Sequence, residues 1–135
     1  MDFLTNKVRG KRIISGRISL GKKGEQLALD FLKKQGYRII ERNYRCRAGE
    51  IDIVAKEGSS LAFVEVKTRQ STHFGLPEEA VSYEKRHHLT RVASVYLIHH
   101  HIKEAKCRFD VVSVLMNESG VKEIRIIKNA FEAVY

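Results

Sequence analysis

Two strand-like runs, residues 50–56 and 61–68, constrain the fold most strongly, because only Glu57-Gly58-Ser59-Ser60 separates them. Alternating apolar residues on both sides of a short glycine-containing turn are typical of a β-hairpin. Whether the loop has two residues or four, its centre lies between Gly58 and Ser59. This register places Asp52 directly opposite Glu65 on the neighbouring strand.

Facing carboxylates on paired strands repel each other, with Cβ atoms roughly 4.5–5.5 Å apart. A divalent cation removes this repulsion, and Mg²⁺ typically takes one or two carboxylates together with water and phosphate oxygens. Alternation along the second strand places Lys67 on the same face as Glu65. An ammonium group there can polarise an attacking water or stabilise charge on a phosphate. The hairpin therefore predicts a Mg²⁺- or Mn²⁺-dependent phosphodiesterase site.

These residues also have ordinary structural interpretations. Glu50 falls opposite Lys67 in the same register, as in a cross-strand salt bridge, and Asp52 could cap a turn. Unpaired acids are costly in apolar surroundings. The surrounding residues are Ile51, Ile53, Val54, Phe63, Val64 and Val66. This setting favours a functional interpretation of the three residues as a group.

Periodicity outside the hairpin predicts two helices and three further strands. The first helix covers residues 21–35, ends at Gly36 and presents a stripe of Leu27, Ala28, Phe31 and Leu32. The second covers about 82–100, with a buried face of Leu89, Val92, Ala93 and Tyr96. Strands are predicted at 37–44, 108–116 and 121–127. The order α-β-β-β-α-β-β indicates a mixed α/β domain with three layers, in which helices flank a central sheet of about five strands.

The net charge of +9 favours a polyanionic partner, since Lys and Arg release counterions from nucleic acid. Basic residues are concentrated near the N-terminus, which predicts an arm over residues 1–20 before a single nuclease-like domain over 21–135. A solvated leader fits the same charge run equally well. The sequence has neither a membrane-spanning run nor a signal-peptide pattern, so we expect a cytoplasmic protein without a membrane partner.

Two motifs follow each other across the hairpin, Gly49-Glu50-Ile51-Asp52-Ile53-Val54 and Phe63-Val64-Glu65-Val66-Lys67-Thr68-Arg69. They closely resemble the YraN-type family of uncharacterised bacterial proteins, which is similar to PD-(D/E)xK nucleases and to archaeal Holliday junction resolvases. The resemblance covers roughly residues 21–131, including Gly24-Glu25 and Arg108-Phe109-Asp110-Val111-Val112. The proline of the superfamily motif is absent, because Ile51 precedes Asp52.

This resemblance implies a restriction-endonuclease-like fold. It also implies a catalytic site of Asp52, Glu65 and Lys67, with Glu25 as a further acid from the first helix. Metal ligation would fall to Asp52, Glu65 and Glu25. From the sequence alone, Glu25 could equally be a first-turn glutamate that interacts favourably with the helix dipole.

Candidate phosphate contacts lie on the second helix and near the hairpin ends. Lys85, His88 and Arg91 recur at three-residue spacing, and we expect Lys85 and Arg91 to bind nucleic acid together with Arg45, Arg47 and Arg69. A solvated helix face has the same spacing. Asp110 is expected to pair with a basic neighbour rather than to bind metal.

The expected activity is hydrolysis of DNA phosphodiester bonds by a metal-dependent endonuclease. Resemblance to resolvases implies a structure-specific role in repair or recombination and a symmetric homodimer. RNA stays open as a partner. Two other functions stay open: a non-catalytic nucleic-acid-binding module with the same fold, and a structural protein with a salt-bridged hairpin.

Overall fold

The computed structural model describes residues 19–70 and 81–135. Its elements are α1 (Leu20–Lys34), β1 (Arg38–Cys46), β2 (Gly49–Glu57), β3 (Ser60–Arg69), α2 (Tyr83–His99), β4 (Lys106–Asn117) and β5 (Gly120–Phe131). This is the order that the sequence predicts. Strand β5 extends to Phe131 rather than ending at residue 127, because Phe131 pairs with Phe109 beyond a register shift. Most of the basic N-terminal arm lies outside the described residues.

The five strands form one sheet in the order β1-β2-β3-β4-β5. Strands β1, β2 and β3 are antiparallel neighbours, as are β4 and β5, whereas β3 and β4 are parallel. Helix α2 lies in the connection that parallel neighbours require. The mixed sheet with a helix on each face is the restriction-endonuclease-like, three-layer fold that we predicted.

Each helix packs on its own apolar layer. Helix α1 contributes Ala28, Leu29 and Leu32 to a core shared with Ile53 and Val64. Phe31, which the sequence placed on the buried stripe, is only half-buried, and Leu29 takes its place. The stripe is rotated because the small residues Gly24 and Ala28, one turn apart, let that side of the helix approach the sheet. On the opposite face, α2 buries its four predicted residues, Leu89, Val92, Ala93 and Tyr96.

Helix ends follow local chemistry. Ser19 Oγ accepts a hydrogen bond from Lys22 N (3.2 Å), and Ser82 Oγ accepts one from Lys85 N (3.1 Å). Such bonds satisfy backbone donors that a helix leaves free at its start. Gly36 has φ of 93°, a conformation that favours glycine after a helix. In the described part of the chain, no helix has the length and apolar character needed to cross a membrane.

The carboxylate of Asp110 is fully buried and well satisfied. It accepts hydrogen bonds from Arg108 Nε (2.9 Å), Tyr37 Oη (2.8 Å) and Asn129 N (2.9 Å). Burial, followed by the hydrogen bond to Asp110, raises the pKa of Tyr37. The prediction that Asp110 pairs with a basic neighbour is confirmed, and this network joins β4 to the start of β1 and to β5.

Gly24 marks the closest approach of α1 to β3. A Cβ atom built on Gly24 would lie 1.8 Å from Oγ1 of Thr68, so no larger residue fits unless Thr68 or the helix moves. This contact holds the next residue, Glu25, near the sheet.

We predict that Gly24→Ala lowers the free energy of unfolding by about 1–3 kcal/mol, the usual range for overpacking. Urea unfolding followed by circular dichroism measures it. Gly21→Ala is the matched control, because its Cβ would meet nothing within 4 Å on the same helix. Alanine is a better helix former than glycine, so the control is expected to gain stability. Equal effects of the two substitutions would contradict the close contact.

Candidate active site

The two acids of the hairpin lie where β2 and β3 stop pairing. Ladder pairs run from Glu57↔Ser60 to Ile53↔Val64, which confirms the predicted register within the hairpin. One residue further, the side chain of Asp52 replaces a backbone acceptor, and its Oδ2 accepts a hydrogen bond from Val66 N (2.8 Å). The carboxylate of Asp52 is thereby held in the opening between the strands.

The surroundings of Asp52 strongly shift the pKa of its carboxyl group. Burial, followed by the charge of Glu65, raises its pKa from 3.8 to about 7, and the charge of Glu25 adds to the effect. The hydrogen bond from Val66 N opposes the shift without cancelling it. Three carboxyl groups from two strands and a helix therefore converge closely enough to disfavour the ionised form of one of them. Such clustering is characteristic of functional sites.

Two lysines contact the carboxylate of Glu65, which is itself only 6% exposed. Its Oε2 lies 3.7 Å from Nζ of Lys67 and 3.4 Å from Nζ of Lys85. Sequence alternation predicted the first contact but not the second, since Lys85 belongs to α2. The residue that we predicted as a phosphate contact thus lies beside the acidic cluster.

Glu25 is half-buried on α1 and close enough to influence Asp52 electrostatically. The alternative that it interacts with the helix dipole from the first turn is wrong, because α1 begins at Leu20 with Ser19 as its cap. Glu25 therefore lies in the second turn. Its role as a further acid of the site stays a prediction.

The arginine candidates are dispersed around this cluster. Arg45 is exposed on β1 and lies 3.5 Å from Glu50, so Glu50 pairs there while Lys67 contacts Glu65. The structure therefore does not contain the alternative salt bridge between Glu50 and Lys67. Arg47 is exposed in the β1–β2 turn, Arg91 is exposed on α2, and Arg69 is half-buried at the end of β3.

Sequence reasoning missed Asn43. Its neighbours on β1 pair with Ile51 and Ile53, which places Asn43 opposite Asp52, and its φ of 52° is left-handed. Together with Glu25 it lines a cavity of about 570 Å³ between α1 and β1. The one local signal was an asparagine within a strand pattern, since Asn tolerates left-handed backbone better than most residues.

The donor set fits a hard divalent ion that keeps part of its water shell. Within residues 19–70 and 81–135, no group of three or more His, Cys, Asp or Glu side chains is arranged to hold a metal ion. Mg²⁺ seldom uses an all-protein cage, and one or two carboxylates with water and phosphate oxygens suffice. Asp52 and Glu65 supply these carboxylates, with Glu25 nearby, and their mutual repulsion would be relieved by a cation.

Comparison with known proteins shows the family of this chain. The sequence pattern of Uncharacterised protein family UPF0102 matches residues 24–114. The chain belongs to this family. The UPF0102 protein of Caldicellulosiruptor saccharolyticus is 52% identical over 113 residues, covering 83% of this chain and 96% of the relative. That of Trichlorobacter lovleyi is 46% identical over 121 residues, covering 89% and 95% respectively. The matched segment begins at Gly24 and includes all five acidic and basic residues of the cluster around Asp52: Glu25, Asp52, Glu65, Lys67 and Lys85.

We predict that Asp52→Asn stabilises the protein in the absence of divalent ions. The folded-state pKa of Asp52 exceeds its unfolded value, so its ionisation reduces stability as pH rises from 3.8 to about 7. Asparagine removes the charge and keeps an acceptor for Val66 N. Urea unfolding in chelator at pH 8 should show a gain on the order of 1 kcal/mol, with a smaller gain at pH 5.

Asp30→Asn is the control for this substitution, since Asp30 is exposed on α1 and outside the cluster. It is expected to show no comparable gain at pH 8. A loss of stability in Asp52→Asn at both pH values would instead support the purely structural hairpin.

Proposed function

We propose that this protein is a Mg²⁺- or Mn²⁺-dependent endonuclease that hydrolyses DNA phosphodiester bonds. The observation that carries the proposal is the crowding of Asp52 and Glu65 at the opening between β2 and β3, beside Lys67. Acids that are removed from water and repel each other reduce stability, and a bound cation would offset this repulsion. Their position in a restriction-endonuclease-like fold adds support by analogy.

Asp52 and Glu65 would hold the metal ion, with Glu25 as the third acid. A divalent ion in such a site lowers the pKa of bound water and stabilises charge on the phosphate. The hydrogen bond from Val66 N fixes the orientation of the Asp52 carboxylate before anything binds. This preorganisation means that the ligand atoms need little rearrangement.

The two lysines have different positions relative to solvent. The Lys67 side chain is 27% exposed and belongs to the same strand as Glu65, so it stays beside the site. It is the better candidate to stabilise negative charge developing on the phosphate. The Lys85 side chain is 43% exposed at the start of α2 and is better placed to contact a neighbouring phosphate of the strand.

The net charge supports DNA as the partner, and the exposed arginines provide further phosphate contacts. A non-catalytic nucleic-acid-binding module is the competing function. It would share the basic surface but would have no use for an acidic cluster in which Val66 N fixes the carboxyl group of Asp52. A cleavage assay separates the two.

We predict metal-dependent cleavage within a panel of labelled single-stranded, duplex, flapped and four-way-junction DNAs. Activity should require Mg²⁺ or Mn²⁺ and disappear in chelator. Asp52→Asn and Lys67→Ala should each lower the rate at least about 100-fold, as expected when a group that stabilises the transition state is removed. Lys56→Ala, an exposed position on β2, is the charge-matched control and should keep the wild-type rate.

Because Asp52→Asn is expected to be at least as stable as the wild type, lost activity in this variant would not reflect unfolding. Cleavage that persists in chelator would contradict the metal-dependent mechanism. Tight, salt-sensitive DNA binding without cleavage of any substrate would favour the accessory module.

Metal binding is testable without turnover. A ligand at 100 times its dissociation constant stabilises a native protein by about 2.7 kcal/mol, which corresponds to a shift of several degrees in Tm for a domain of this size. We predict such a shift with Mg²⁺ or Mn²⁺ in the wild type. Glu65→Gln should abolish it, whereas Glu118→Gln in the β4–β5 turn should preserve it. An unchanged shift in Glu65→Gln would exclude Glu65 as a ligand.

A further inference from the structure

A cavity of about 570 Å³ lies between the first half of α1 and strand β1. Among residues 19–70 and 81–135, its lining combines three cations with two amides, one carboxylate and one apolar side chain: Lys22, Lys23, Arg42, Gln26, Asn43, Glu25 and Leu27. The volume is that of a small-molecule binding site, for which about 300–1,000 Å³ is usual. The excess of positive charge favours an anionic occupant.

The cavity adjoins the acidic cluster on two sides. Glu25 lines it and also raises the pKa of Asp52. Asn43 lines it from β1, at the position opposite Asp52. A ligand in this cavity would therefore lie beside any group bound at Asp52.

The backbone of β1 departs from regular strand geometry where it lines this cavity. Consecutive residues of a regular strand point to opposite faces of the sheet, yet Arg42 and Asn43 both line the same cavity. Asn43 has φ of 52°, and this left-handed residue interrupts the alternation. Left-handed backbone in a residue other than glycine costs free energy, and such strain is concentrated at functional positions.

We propose that this cavity binds an unpaired segment of a DNA strand next to the scissile phosphate. The position of the scissile phosphate rests on the proposed function, whereas the strand-binding site stands on the cavity alone. Lys22, Lys23 and Arg42 match the phosphates of such a strand. The amides of Asn43 and Gln26 carry donors and acceptors for base edges, and Leu27 offers an apolar surface.

The size of the cavity favours an unpaired strand over a base-paired duplex. One or two unpaired nucleotides fit a space of this volume, whereas a base-paired duplex, whose major groove alone is about 12 Å wide, does not. Gln26 donates to Asp30 at 3.2 Å on the exposed surface, a contact that a base can replace at little cost because water reaches it. The site thus favours single-stranded or locally unpaired DNA over continuous duplex.

Binding in chelator tests the site without any cleavage. The full chain is titrated against a fluorescent twelve-nucleotide thymidine strand and against a blunt hairpin duplex. The double variant Lys22→Ala/Lys23→Ala should bind the single strand at least tenfold more weakly than the wild type. Its salt dependence should fall by a slope of about 1.4, as expected for the loss of two phosphate contacts at about 0.7 each.

Lys33→Ala/Lys34→Ala is the matched control, because it removes the same charge from the last turn of the same helix, away from the cavity. It should retain wild-type affinity for the single strand. A second comparison uses Asn43→Gly and Asn129→Gly, which both keep a left-handed backbone, since Asn129 also has φ of 52°. Only Asn43→Gly should weaken binding, by about threefold to tenfold, with both variants retaining cooperative thermal unfolding.

Equal loss of affinity in the two double lysine variants would overturn the proposal, as would a hairpin duplex bound as tightly as the single strand. The outcome is independent of nuclease activity. A protein that binds the strand through the cavity but cleaves nothing keeps this proposal and loses the proposed function. A protein that cleaves DNA while the cavity variants bind normally keeps the proposed function and loses this site.

Discussion

The hydrogen bond from Val66 N to Asp52 Oδ2 is the contact on which the rest of the site depends. Where β2 and β3 stop pairing, a backbone donor would otherwise lose its partner, and a buried unsatisfied group costs about 1–3 kcal/mol. The side chain of Asp52 meets this need by supplying the acceptor oxygen. The same hydrogen bond therefore satisfies Val66 N at the opening between the strands and fixes the carboxyl group of Asp52 there. This double role also means that truncation of Asp52 to alanine would mix structural and functional effects.

Two helices complete the site from opposite faces of the sheet, and they bring opposite charges. Helix α1 approaches β3 through the contact of Gly24 with Thr68 and places Glu25 beside Asp52. Helix α2 places the ammonium group of Lys85 against Glu65. The arrangement keeps Glu65 balanced by cations and leaves Asp52 surrounded by acids. An incoming divalent ion would thus gain most from Asp52.

Local pattern predicted the elements, the hairpin register and the proximity of Asp52 to Glu65, because alternation and turn chemistry act over a few residues. Contacts between distant elements were less accessible. The approach of Lys85 to Glu65 depends on how α2 crosses the sheet, which periodicity does not specify. The left-handed backbone of Asn43 was also missed, since asparagine permits this conformation without requiring it. The alternative position of Glu25 in the first turn failed because α1 begins at Leu20, one residue before the predicted start.

The same sheet contains a further buried acid, Asp110, whose surroundings differ from those of Asp52. Asp110 is fully buried, but Arg108 supplies a matching charge and two further donors complete its hydrogen bonds. Asp52 is less buried, yet its nearest charges include two carboxylates that raise its pKa. A fully satisfied acid stabilises the fold and has little to offer a ligand. An acid left in repulsive surroundings lowers stability, and proteins retain such residues mainly where activity requires them. This difference in hydrogen-bond and charge partners, rather than in burial, makes Asp110 part of the framework and leaves Asp52 as the candidate for the site.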